Sequence, residues 1–376
     1  MQAPRIELNW PGKGDPLPAA ARLVEEAALG HGDRLDNRVI QGDNLPVLAA
    51  LEGELAGQVK CACIDPPYNT GASFEHYDDG GSLAEWLAML HPRLVLLRRL
   101  LRDDGVLFVQ IDGRALGYAK VLLDEVFGRA RWVNDIVWKR RGGSANPNAR
   151  LNNVTDFILC YGKTDRAGLA PVFTRDDAHT RAYVRERFRH VHQGRRFMLA
   201  PVERNAALGD RPALRYAYRG YTPAHGWMMS RARLEALDAA GRLHWNSKGR
   251  PNRRVFLDDY PGQPVGNLWT DVKVINPMAR ERLAFEGQKP EALLRRLLQT
   301  GSAAGDLVLD AFAGTGTTAA AAHKMRRRWL VIEQGAHCRD LIVPRLRRVI
   351  DGEDPAGVTR AEGWAGGGGF RFFRAE

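Results

Sequence analysis

The chain has 376 residues, 44% of them apolar, and a formal net charge of +11 at pH 7. That length holds one large domain or two around a sizeable core. No apolar run approaches the roughly 20 residues of a membrane span, and residues 1–10 lack a signal-peptide pattern, so the expectation is a cytoplasmic protein without a membrane partner.

The charge is concentrated. Residues 163–282 carry 23 Lys+Arg against 12 Asp+Glu, so their excess of 11 equals the net charge of the chain. A neutral domain carrying a basic insert is the electrostatic footprint of a polyanion binder, here nucleic acid. The four cysteines (Cys61, Cys63, Cys160 and Cys338) are scattered without a paired zinc spacing. They read as small buried hydrophobes, and no metal site is expected.

In chain order, residues 1–36 form an irregular N-terminal extension with Pro11, Pro16 and Pro18, then an Ala/Leu/Glu helix expected over residues 19–29. Residues 38–41 read as a strand leading through Gly42-Asp43-Asn44 into a helix over 45–55, with Asp43 as a helix cap or a group facing a ligand. The next apolar run, Cys61-Ala62-Cys63-Ile64, is a buried strand that stops at Asp65-Pro66-Pro67-Tyr68. Two prolines fix φ at about −65° and hold the Asp65 side chain and the Pro66 carbonyl out of the helical region, at the mouth of the sheet. Two acceptors beside an aromatic ring suit a planar ring bearing an amino group. Accepting both N–H hydrogens frees the nitrogen lone pair while Tyr68 stacks on the ring, and stacking on an aromatic contributes roughly 1–3 kcal/mol per base. Within duplex nucleic acid such chemistry requires a flipped base.

Residues 69–81 form a long connection, read as a lid, a base-flipping loop or a plain surface loop. A helix over 82–101, a strand over 105–111 and a helix over 114–127 follow, then two strands, 133–138 and 154–161, expected as an antiparallel pair at a sheet edge. Lys139, Arg140 and Arg141 lie in their connection, in reach of a phosphate backbone. In the basic insert, residues 242–254 interleave aromatics and cations: Trp245, Lys248, Arg250, Arg253 and Arg254 are candidate DNA contacts.

Gln288-Lys289-Pro290 opens a helix to residue 300. A strand over 306–312 runs into Ala313-Gly314-Thr315-Gly316-Thr317-Thr318 and an Ala-rich helix, and the strand over 329–332 ends in Glu333. Close glycines between strand and helix let a ligand approach backbone N–H groups, and a carboxylate about 20 residues on suits ribose hydroxyls. The absence of a Walker lysine disfavours phosphoryl transfer, and the dinucleotide fingerprint is incomplete. A nucleoside cofactor without a pyrophosphate, such as S-adenosylmethionine, fits better. The tail, Gly366-Gly367-Gly368-Gly369-Phe370-Arg371-Phe372-Phe373-Arg374, reads as a flexible linker with a disordered end.

With Asp65-Pro66-Pro67-Tyr68 before the basic insert and Phe312-x-Gly314-x-Gly316 after it, residues 39–349 resemble a β-class DNA amino-methyltransferase. Gly42-Asp43-Asn44, Glu85-Trp86-Leu87, Leu268-Trp269-Thr270-Asp271 and Gln288-Lys289-Pro290-Glu291 resemble the type III modification-subunit branch. The resemblance implies an α/β fold: a seven-stranded, circularly permuted S-adenosylmethionine-dependent methyltransferase sheet with an inserted target-recognition region. Its catalytic half would be residues 37–162, its insert 163–285, its cofactor half 286–350 and its flexible tail 351–376. The permuted order puts the 306–312 strand beside the Cys61 strand.

The implied activity is methyl transfer to adenine N6 in double-stranded DNA. Asp65, Pro66, Pro67 and Tyr68 would be catalytic, with Asp43, Lys289, Asp310, Phe312, Gly314, Gly316, Thr317 and Glu333 around the cofactor. The alternatives are cytosine-N4 methylation, glutamine methylation of a protein, and a catalytically silent DNA-binding regulator. A homodimer and a separate restriction subunit are compatible with the resemblance.

Overall fold

The computed structural model describes residues 6–31, 35–69, 81–140, 151–175 and 177–376. Most of the suspected lid and Arg141 therefore lie outside the described residues. The chain divides into two compact units, one of Met1–Val172 with Gly266–Glu376 and one of Phe173–Val265. The second lies within the 163–285 span expected for the insert and is shorter than it.

The first unit begins with β1 (Leu23–His31), β2 (Asn37–Gln41) and α1 (Asn44–Leu55). The Asp43 carboxylate caps α1 by accepting from the Leu45 amide at 2.9 Å. Next come β3 (Val59–Ile64) and α2 (Leu83–Leu100), the latter started by a reciprocal capping box between Ser82 and Glu85. Trp86, Leu90, Leu94 and Leu97 recur at helical spacing and give α2 its buried face. The chain continues through β4 (Leu101–Asp112), α3 (Leu116–Leu123), β5 (Trp132–Lys139) and β6 (Thr155–Gly162).

The second unit holds β7 (Phe173–Thr174), α4 (Ala178–Arg187), β8 (His190–His192), β9 (Arg195–Pro201), α5 (Arg231–Ala239), β10 (Leu243–Trp245), β11 (Pro251–Phe256) and β12 (Gln263–Pro264). Its four-stranded sheet has the order β10-β11-β9-β8, and β12 pairs with β7. Val202, Trp227, Leu234 and Leu243 form a small core of their own.

Back in the first unit follow β13 (Leu268–Trp269), α6 (Glu291–Gly301), β14 (Leu307–Asp310), α7 (Thr317–Lys324), β15 (Arg328–Glu333), α8 (Val343–Ile350), α9 (Thr359–Glu362) and β16 (Gly368–Ala375). The strand order is β1-β16-β2-β15-β14-β3-β4-β6-β5-β13. The seven expected strands are the contiguous middle of this ten-stranded sheet, from β2 to β5. β14 lies parallel to β3, with Val308 opposite Cys61 and Leu309 opposite Ala62, as the permuted order requires.

Three expectations are corrected. Residues 23–31 are a strand, not part of a helix, and residues 368–375 are a strand rather than a flexible tail. The two pair antiparallel, and β16 also runs parallel to β2, so β1 and β16 complete one edge of the sheet. Phe370 and Phe372 alternate into the interior, a period of two that the preceding glycines obscure. Glycine serves the pairing on both strands: a Cβ on Gly369 would collide with the Leu29 carbonyl, and one on Gly30 with the Gly369 backbone. β5 also carries the short β13 outside it, so it is not the last strand.

All four cysteines are buried and free. Among the described residues no cluster of His, Cys, Asp and Glu could hold a metal ion, and no helix is long and apolar enough to cross a membrane.

Candidate active site

Strand order reverses between β14 and β3, which are neighbours in the sheet although β3 ends at Ile64 and β14 begins at Leu307. Crevices outside the carboxyl ends of strands at such a point bind ligands. A cavity of about 550 Å³ opens there, lined on one side by Asp65, Pro66 and Tyr68 and on the other by Phe312, Gly314 and Glu333. Its volume is in the range of small-molecule and cofactor sites.

Asp65 follows the last residue of β3 and is gripped from two sides. The Tyr68 hydroxyl donates to Oδ1 at 2.7 Å, and the Lys289 ammonium bonds Oδ2. Lys289 also lies 5.3 Å from the centroid of the Tyr68 ring and donates to the Gly287 carbonyl. The carboxylate keeps 29% of its side-chain surface exposed, so it remains reachable from the cavity. Burial, reinforced by the neighbouring Asp65 charge, raises the Tyr68 phenol well above its usual range and keeps it a neutral donor. Trp86 Nε1 donates to the Pro67 carbonyl at 2.7 Å and pins the turn, while among the described residues no donor reaches the Pro66 carbonyl.

The opposite wall begins at Asp310, the buried last residue of β14. Its carboxylate accepts from the Thr318 hydroxyl at 2.5 Å and the Phe312 amide at 2.9 Å. Burial nevertheless pushes its pKa up to about 7, with the Asp65 and Glu333 charges adding to the rise. Gly314 has φ 53°, a left-handed conformation suited to glycine, and its amide donates to Glu333 Oε2 at 2.7 Å. Glu333 Oε1 accepts from the Gly335 amide and lies 3.3 Å from His337 Nε2. The Gly314 turn and the end of β15 are thereby locked together, a contact the sequence reading of Glu333 as a ribose ligand did not include.

Not every expected ligand-facing residue lies on the cavity. Asp43 is outside the lining, committed to the α1 cap and an ion pair with Arg93 at 2.8 Å; its neighbour Asn44 lines the cavity and donates to the Ala311 carbonyl at 2.6 Å. Gly316 is also outside the lining, and it is suited to glycine by its left-handed φ of 71°, while a Cβ would also meet Ile342 at 2.8 Å. Thr317 does line the cavity. Lys289, expected with the cofactor, is paired with Asp65.

Three features escaped sequence reasoning. Phe285 lines the cavity with its ring 5.0 Å from that of His337. Arg93 bonds Asn44 and Asp43. Asp156 is fully buried at the start of β6; Gln110 Nε2 donates to it at 3.1 Å and Arg140 Nε lies 3.1 Å away. Burial raises the Asp156 carboxyl despite the nearby Arg140 and Lys289 charges. An aromatic in a loop, or a single charge on a helix or strand, carries no local mark of such a role.

Among the candidate DNA contacts, Lys139 and Arg140 belong to the first unit. In the second, residues 242–254 form the β10–β11 hairpin. Asn246 shapes its tip by accepting from the Lys248 and Arg250 amides, so both side chains project from an exposed turn. Trp245 stacks on Tyr218 with ring centroids 6.4 Å apart. Arg254 is internal to the unit: it donates to the Gly241 carbonyl at 2.7 Å and lies over Phe197.

An open sheet with a cavity at its strand-order reversal, between an Asp-Pro-Pro-Tyr turn and a glycine turn bound to a carboxylate, defines a doubly wound α/β domain of the methyltransferase fold class. The chain belongs to the DNA methylase family, whose family model matches residues 59–343. The "Probable type III restriction-modification enzyme HindVI Mod subunit" of Haemophilus influenzae is 30% identical over 404 aligned positions, covering 90% of this chain and 54% of that protein. This chain thus spans about half the length of that relative. Type II methyltransferase M.EcaI of Enterobacter cloacae is 29% identical, covering 91% of this chain and 78% of the relative. The solved PvuII DNA methyltransferase (cytosine-N4-specific) is 12% identical with a TM-score of 0.48, covering 86% of this chain and 91% of its own.

Proposed function

We propose that this protein transfers a methyl group from S-adenosylmethionine to the exocyclic N6 of an adenine flipped out of double-stranded DNA. The observation that carries the reading is that Asp65, next to a Pro66 carbonyl that no donor among the described residues reaches, shares one cavity with the Gly314 turn and Glu333. The donor set fits the cofactor. Glu333 is an acceptor for ribose hydroxyls, the backbone amides at the start of α7 suit a carboxylate, and Phe312 and Phe285 offer faces to an adenine ring. When bound, S-adenosylmethionine supplies an electrophilic methyl group on a sulfonium.

The Asp65 carboxylate and the Pro66 carbonyl accept the two N–H hydrogens of the target amine, which localises its lone pair. Lys289 and Tyr68 hold Asp65 in place, and the Tyr68 ring packs on the base. Placing both reactants in one cavity converts an encounter between two molecules into a positioned reaction, the source of much of the acceleration. Lys139 and Arg140 of the first unit and Trp245, Lys248, Arg250 and Arg253 of the second would contact DNA. Similarity to a Mod subunit supports a separate restriction subunit as a further partner.

The test is incubation of the pure protein with radiolabelled S-adenosylmethionine and unmethylated genomic DNA, followed by nucleoside analysis. The expected label is in N6-methyladenosine. Label in N4-methylcytosine would change the base while keeping the mechanism, and cofactor binding without label would overturn the reading. Asp65→Ala should lower kcat roughly 10²–10³-fold or more, the scale of a preorganised hydrogen-bond partner, while leaving cofactor affinity nearly unchanged.

A further inference from the structure

Behind the Gly314 turn lies a group of buried charges that the proposed chemistry does not use. Glu291, the first residue of α6, and Lys324, the last of α7, are both fully buried. Lys324 Nζ donates to Glu291 Oε2 at 2.8 Å, Asp354 Oδ2 at 2.7 Å and the Ala356 carbonyl at 3.2 Å. Arg345, on α8 and only 4% exposed, donates from one terminal nitrogen to Glu291 Oε1 at 2.9 Å. Its other terminal nitrogen reaches three acceptors of the glycine turn: the Thr315 carbonyl at 3.1 Å, the Thr315 hydroxyl at 3.3 Å and the Thr317 hydroxyl at 3.0 Å. The Thr317 hydroxyl in turn donates to the Lys289 carbonyl at 3.2 Å. Even Gly357 is fitted to this group, since a Cβ there would collide with the Glu291 carboxylate.

Two cations face two carboxylates, and a third carboxylate, Glu281, accepts from the Glu291 amide at 2.6 Å with burial raising its pKa. Desolvation makes such a group a poor source of stability compared with apolar side chains of equal volume. What it supplies is geometry. Arg345 is a planar fork with fixed donor directions: it binds the 313–318 segment of the cofactor side directly, and the Thr317 hydroxyl relays the contact to the Lys289 carbonyl of the 285–289 segment.

We infer that Arg345, held by Glu291, is a positioning residue that presets the Gly314 turn and the Lys289 backbone for cofactor binding. It touches neither reactant. Its effect passes through Thr315 and Thr317, and the inference rests on the cofactor assigned above.

The experiment compares the full-length wild type with Arg345→Lys, which keeps the charge but loses the fork, and Thr317→Val, which keeps the shape but removes the hydroxyl. Thermal melts, direct titration with S-adenosylmethionine, and amide hydrogen exchange of residues 313–318 in protein without added cofactor are measured on each. Arg345→Lys is expected to weaken cofactor binding about tenfold or more, the scale of one charge-assisted hydrogen bond. Exchange in the turn should quicken, while kcat at saturating cofactor stays within about threefold, the pattern of lost ground-state binding. Thr317→Val should change affinity and exchange in the same direction and by less. Wild-type affinity and exchange retained in Arg345→Lys, or in Thr317→Val should Arg345→Lys fail to fold, would overturn the inference. If the wild type itself does not bind S-adenosylmethionine, the cofactor assignment fails, and the exchange data still decide whether Arg345 orders the turn.

Discussion

At the scale of single residues, the cavity brings three carboxylates toward one ligand space in different states. Asp65 is ion-paired with Lys289, Glu333 is bonded by two backbone amides, and Asp310 is buried with its pKa pushed up to about 7. The linkage sign for Asp310 follows from its raised folded value. Between about pH 4, the ordinary carboxylate range, and about pH 7, the folded state holds a proton that the unfolded state has released. The stability associated with that proton is fully present below about pH 4 and lost as pH rises through about 7. Asp310→Asn cannot ionise, so its melting temperature relative to wild type should climb from about pH 5 to about pH 8. A difference that stays flat over that interval would show that Asp310 does not titrate there.

Individual elements show how one pairing completes the sheet. β16 lies between β1 and β2, and Phe370 is fully buried, its ring 5.8 Å from that of Trp329. His323 Nε2 lies 2.9 Å from the Gly367 carbonyl, and Trp329 Nε1 donates to His323 Nδ1 at 3.0 Å. The glycine-rich entry to the strand is therefore anchored to α7 and β15, the elements that carry the glycine turn and Glu333. Phe370→Ala should cost about 3–5 kcal/mol in denaturant unfolding, as for other buried aromatics truncated in a core. A loss below about 1 kcal/mol, the size of a surface effect, would mean that β16 is peripheral to the fold.

For the molecule as a whole, the positive charge belongs to the middle of the sequence, while the first unit holds the cavity. Lys248 and Arg250 project from the β10–β11 hairpin tip, and Arg253 follows on β11. If they meet phosphates, replacing all three with Ala should weaken DNA binding and flatten the slope of log affinity against log salt by about 0.9 for each phosphate no longer neutralised. An unchanged slope would mean that these cations do not meet the backbone. Arg254, bound within the unit, should show its effect in stability instead.

The sequence by itself determined the features whose physics is local. Consecutive prolines fix the Asp65 turn, glycines open the turn after β14, caps start α1 and α2, and apolar runs mark the seven central strands. Alternation of Phe370 and Phe372 was equally local, but a glycine run beside it read as a linker. The tertiary structure alone decided which distant groups meet: Lys289 with Asp65, Arg93 with Asp43, Glu291 with Arg345, and β1 with β16. A charged side chain or a short strand carries no record of its partner in its own neighbourhood. Only the packing of the sheet and its helices brings those groups within hydrogen-bond range, where burial makes the choice of partner binding.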